Sequence, residues 1–101
     1  MVTPQTPKTT IVQQNPDGTT SITTNQLDVT STPIKTLITA LKKTNIDVSA
    51  NNISTLQTVE GPQSIEYTVV LANPSGTPTK QVSAVQSKDT QQTVVTDIVS
   101  L

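Results

Sequence analysis

Residues 31–45 read STPIKTLITALKKTN. Ile34, Leu37, Ile38 and Leu41 stand at i, i+3, i+4 and i+7, the spacing that lines one face of an α-helix. Ser31 or Thr32 can cap that helix, and Pro33 suits its first position, where a missing N–H has no intrahelical partner to lose. Lys42 and Lys43 fall in the last turn, where cations meet the negative end of the helix dipole. Asn45 tolerates a left-handed backbone and predicts the stop. The spacing predicts one amphipathic helix; the segments around it read as strand and turn.

Upstream, KTTIVQQ (8–14) and TTSITTN (19–25) flank the phrase NPDG at 15–18. Pro16 presets the first corner of a type I turn, Asp17 occupies the second, and Gly18 takes the left-handed position that closes a bulged hairpin. The phrase returns as NPSG at 73–76, between QSIEYTVVLA (63–72) and TPTKQVSAVQSK (77–88). In the first of these strands Ile65, Tyr67, Val69 and Leu71 face one way and Glu66 and Thr68 the other. In the second, Val82 and Ala84 alternate with polar neighbours. Both phrases therefore predict hairpin corners. A phosphate cradle needs an extended Gly-rich run and a lysine, and neither phrase has them. The flanks differ too much for a tandem repeat.

Between the helix and the turn expected at Gly61-Pro62, IDVSANNISTLQTVE (46–60) reads as two short strands, or as one strand broken at Ala50–Asn52. Ile46 and Val48 alternate, as do Ile53, Thr55, Gln57 and Val59. In the C-terminal TVVTDIVSL (93–101), Val94, Val95, Ile98 and Leu101 fit a helix face, but the density of β-branched residues favours a strand. Residues 1–8, with Pro4 and Pro7 among Thr and Gln, predict an extended arm spanning on the order of 25 Å. Residues 9–101 then form a single α+β domain, with one amphipathic helix packed on an antiparallel, hairpin-rich β-sheet.

The chain has 101 residues, 32 % apolar and 13 % charged, with net charge −1. Tyr67 is its one aromatic, and Phe, Trp, Cys and His are absent. A domain this small buries about two-thirds of its unfolded surface, so a core without aromatic rings is thin and gains from a partner. Arginine is absent and the six lysines are scattered, which disfavours nucleic-acid binding. Threonine makes up about a fifth of the chain, giving a neutral surface rich in hydroxyls and amides. No positively charged segment followed by an apolar run opens the chain, and no apolar run reaches bilayer length, so neither a signal peptide nor a membrane span is expected.

Without His or Cys, a nucleophile has only Lys or a carboxylate as base, and no Ser-x-x-Lys motif occurs. The carboxylates Asp17, Asp28, Asp47, Glu60, Glu66, Asp89 and Asp97 all fall among polar residues, where solvation keeps an acid/base pair from forming. Asp47, Ser49 and Asn51 alternate like the opening of a calcium loop. Asn52 stands where that loop needs Gly, however, and Thr58 where it needs Glu. Asn52-Ile53-Ser54 matches a glycosylation sequon and, with no signal peptide, reads as chance. The expectation is a non-enzymatic protein with no catalytic, cofactor or metal site.

The arm MVTPQTPKTT, the corners NPDG and NPSG, and the Thr/Val/Gln-rich end DTQQTVVTDIVSL resemble, in composition and layout, the small accessory proteins of tailed-phage virions. These include cement or decoration subunits on the capsid and small tail subunits. The resemblance implies a virion protein on the capsid surface that stabilises contacts between major capsid proteins, often as a small homo-oligomer, with no nucleic-acid or membrane partner. A small tail or head–tail subunit is the nearest alternative. A monomeric surface- or carbohydrate-binding module and a regulatory subunit of an enzyme complex are the others.

Overall fold

The apolar stripe folds as a helix in the computed structural model, which describes residues 8–25, 27, 30–46, 48, 52–73 and 75–101. Helix α1 spans Thr32–Lys43, with Ser31 at the N-cap, Pro33 in the first turn and both lysines in the last. Asn45 takes φ 66° and stops it in the left-handed region. Leu37 and Leu41 are buried, while Ile34 and Ile38 are partly buried against the same cluster.

Six strands form one sheet: β1 (Thr9–Gln14), β2 (Thr20–Asn25), β3 (Ile53–Glu60), β4 (Ser64–Ala72), β5 (Pro78–Ser87) and β6 (Thr93–Ser100). Their order is β2-β1-β3-β4-β5-β6. The hairpins fall where the repeated phrase predicts them. The Gly18 amide donates to the Asn15 carbonyl at 3.0 Å and the Gly76 amide to the Asn73 carbonyl at 2.9 Å. Both glycines adopt φ 90°. Gly61 also turns, its amide donating to the Ser64 carbonyl at 2.9 Å. The C-terminal segment is strand β6 rather than helix.

The sheet is mixed, which corrects the antiparallel expectation. Strands β1 and β3 run parallel, and every other pairing is antiparallel. Parallel neighbours need a crossover of a dozen or more residues, and the segment carrying α1 supplies it. Beside β3, strand β1 buries Thr9 and half-buries Ile11, whereas all six residues of β2 are exposed. Strand β2 therefore takes the edge. Thr9 seals the crossover by donating its hydroxyl to the Ile53 carbonyl at 2.9 Å.

A second correction concerns residues 46–60. Among the described residues of this segment a single strand forms, Ile53–Glu60, and its alternation breaks near its start. Ile53 lies opposite Leu71 and Thr55 opposite Val70, so Ser54 is an extra residue in a β-bulge. The bulge puts Ile53 and Leu56, rather than Ile53 and Thr55, on the buried face. The Ser54 hydroxyl donates to the Val70 carbonyl at 3.1 Å and holds it there. Ile46 and Val48 are buried outside any strand. The expected arm, apart from Lys8, lies outside the described residues, as do Asp28, Asp47, Ser49 and Asn51.

The core occupies one side of the sheet. Leu37 and Leu41 of α1 meet Leu56 of β3, Tyr67, Val69 and Leu71 of β4, and Val82 and Ala84 of β5. Among the described residues, one helix covers this one face.

Candidate interaction surface

The ladder registers define what the other face carries. With Tyr67, Val69 and Val82 turned to the core, their strand neighbours point the opposite way. One row across the sheet is Ile22, Val12, Gln57, Thr68, Ser83 and Asp97. The next is Thr24, Thr10, Thr55, Val70, Gln81 and Val99, and the flanking row on the other side is Thr20, Gln14, Val59, Glu66, Val85 and Val94. Hydroxyls, amides and β-branched side chains dominate, with Glu66 and Asp97 the only charges in these rows. No described element lies over this face.

The core side is covered unevenly. Helix α1 approaches β6 most closely of the strands. Near its N-terminus a cleft of about 480 Å³ opens over β1, β2 and β3, lined by apolar Ile11, Leu27, Ile34 and Leu56 and by polar Gln13 and Asn25 among others. Tyr67 borders the cleft, but its ring is buried and its hydroxyl donates to Gln86 Oε1 at 3.3 Å.

The carboxylates expected to be solvated disperse over the fold. Asp17 sits in the first hairpin corner, where its Oδ1 accepts the Thr19 hydroxyl at 2.6 Å and the Thr19 amide at 3.0 Å. Those two bonds, the hydroxyl first, hold its carboxyl below the usual aspartate range. Glu60 at the end of β3 pairs with Lys88 at 2.9 Å. Glu66 and Asp97 lie on β4 and β6 with β5 between them, and Asp89 lies in the turn after β5. Among the described residues, no three His, Cys, Asp or Glu side chains gather as metal ligands, and no helix is long and apolar enough to cross a membrane.

Reading the sequence missed the uncovered face. Its signal was present: the strands carry valine and threonine in both phases of their alternation, yet the described residues hold one helix to cover them. No family model matches the chain, and neither a curated protein nor a solved structure matches it.

Proposed function

We propose that this chain is a non-enzymatic structural subunit of a virion, a capsid cement or decoration protein that lays its uncovered sheet face across neighbouring major capsid proteins. The observation that carries this reading is that face. Six strands at about 4.8 Å spacing make it about 24 Å wide, and three rows of outward side chains extend it to roughly 20 Å in length. That is on the order of 500 Å² before side-chain relief, most of the ~800 Å² that one partner contributes to a standard interface. Neutral hydroxyls and amides pair across such a contact without the desolvation cost of charges. A carbohydrate module is less well supported, because a sugar site stacks its ring on an exposed aromatic and Tyr67 is buried.

Co-sedimentation tests the reading. The purified chain is expected to pellet with intact tailed-phage capsids and to stay in solution with isolated tails. Gln57→Lys combined with Ser83→Lys, on strands either side of β4, should abolish pelleting while leaving the melting temperature nearly unchanged. Pelleting by the double variant equal to that of the unmodified chain, or pelleting with tails instead, overturns the capsid assignment.

A further inference from the structure

Large apolar side chains are exposed at five described positions: Ile22 at 68 %, Val94 at 54 %, Ile98 at 43 %, Val99 at 42 % and Leu101 at 65 %. Four of the five lie on β6 or just past its end. Among the described residues strand β6 is a free edge, eight residues long, with Asp97 as its one charge and neither proline nor lysine. Such an edge is a template for strand pairing.

The residues of that edge are arranged as a pseudo-palindrome. Thr93, Val94, Val95 and Thr96 read forward much as Ser100, Val99, Ile98 and Asp97 read backward. An unbroken strand could not use this symmetry, because residues an odd number apart point to opposite faces. Strand β6 is not unbroken. Ser83 lies opposite Asp97 and Ala84 opposite Val95, so Thr96 is an extra residue in a bulge. Across the bulge, Val95 and Ile98 share the helix side, and Val94 and Val99 share the uncovered side.

The backbone agrees. The Gln92 carbonyl accepts from the Ser87 amide and the Leu101 amide donates to the Thr79 carbonyl, each at 3.0 Å. Alternation from these two inward-bonded residues turns the backbone groups of Thr93, Val95, Ile98 and Ser100 outward. These are the positions that the palindrome places opposite one another.

We propose that β6 is a self-pairing edge that joins two copies of this chain in antiparallel fashion about a two-fold axis at Thr96/Asp97, making one twelve-stranded sheet. Val94 then faces Val99 of the second copy, and Val95 faces its Ile98. Asp97 lies opposite Thr96, so the two carboxylates do not oppose each other directly. The helix side has room for the second copy: a groove of about 380 Å³ runs between α1 and β6, with Thr36, Thr39, Ala40, Thr93 and Val95 on its walls. Ile98 of the second copy enters that groove. An interface of this kind uses the same patch on both subunits and closes at two.

The isolated chain, without any capsid, tests the pairing. Its mass by sedimentation should rise with concentration from 10.7 kDa to twice that value and no further. Val94→Cys with Val99→Cys, in a chain that has no cysteine, should oxidise to a covalent dimer at least tenfold faster than Ile22→Cys on the opposite edge. Within one extended strand those two positions are on the order of 16 Å apart, beyond disulfide reach, so the bond must join two copies. Val94→Lys with Val99→Lys sets like charges opposite each other and should leave a monomer, whereas Val94→Lys with Val99→Glu should restore the dimer. A chain that stays at 10.7 kDa to millimolar concentration, cysteines that link no faster than Ile22→Cys, or Lys/Lys and Lys/Glu variants of equal mass would each overturn the pairing. Val94 and Val99 also lie on the uncovered face, so capsid binding is measured separately, by pelleting the unmodified chain.

Discussion

The side-chain amide of Gln86, on β5, donates to the main-chain carbonyl of Pro33 in the first turn of α1 at 3.1 Å, across 53 positions of sequence. The same nitrogen donates to the Thr93 hydroxyl of β6 at 3.0 Å, and the amide oxygen accepts from the Tyr67 hydroxyl of β4. Gln86 is 2 % exposed. One neutral side chain therefore seats the helix on the sheet and ties three adjacent strands. It can be buried because every hydrogen-bonding atom it carries is matched.

Replacing Gln86 with Leu keeps the volume but strands the Tyr67 hydroxyl. The variant should lose about 1–3 kcal/mol in urea denaturation. Tyr67→Phe should cost less, and the double variant should fall short of the sum, because the two groups share one network.

Tyr67 also sets a pH dependence. Burial, and then the negative charge of Glu60, raise its pKa above the ordinary 10.0. A raised folded-state value means that the neutral form is favoured by folding. Its contribution is therefore complete below about pH 10 and is lost as pH rises through the folded value. Melting temperature should fall more steeply above pH 10 in the unmodified protein than in Tyr67→Phe, and coincident curves would contradict the burial of the hydroxyl.

Leu37 and Leu41 anchor the helix. Leu41→Ala should cost about 2–5 kcal/mol, and Leu37→Asp or Leu41→Asp should unfold the domain by burying an unpaired charge. Circular dichroism at room temperature distinguishes the alanine variant, folded and weakened, from the aspartates.

Val at Gly18 or Gly76 should cost on the order of 1–2 kcal/mol, read from thermal melts. A Cβ at either position meets no atom within 4 Å, so the cost comes from the backbone alone. Asn, which tolerates positive φ, should cost less at both sites.

Local chemistry made much of this fold legible. The helix could be read from its stripe and the hairpins from Pro16, Gly18 and Gly76, because a turn or helical face is decided by residues within a few positions of one another. The parallel pairing of β1 with β3 was not legible, since alternation looks the same whichever neighbour a strand selects. The bulges at Ser54 and Thr96 were hidden for a related reason. Each shifts the phase of a strand by one residue, and only the partner strand shows that the shift has occurred. The uncovered face was countable from one helix against many strands, but assigning its residues required the registers. Gln86 carried no sequence signal, as glutamine is ordinarily a surface residue.

The parallel ladder has a kinetic consequence. The hairpin β1–β2 forms from neighbours in sequence, yet it joins the rest of the sheet only through β1–β3, with Thr9 bonded to Ile53 across 44 positions. That union must wait until a long intervening segment has been brought round, whereas β3, β4, β5 and β6 follow one another through short connections. The hairpin is accordingly expected to dock last and to detach first. In hydrogen exchange its amides should open at lower free energy than those of β4 and β5, as a separate cooperative unit.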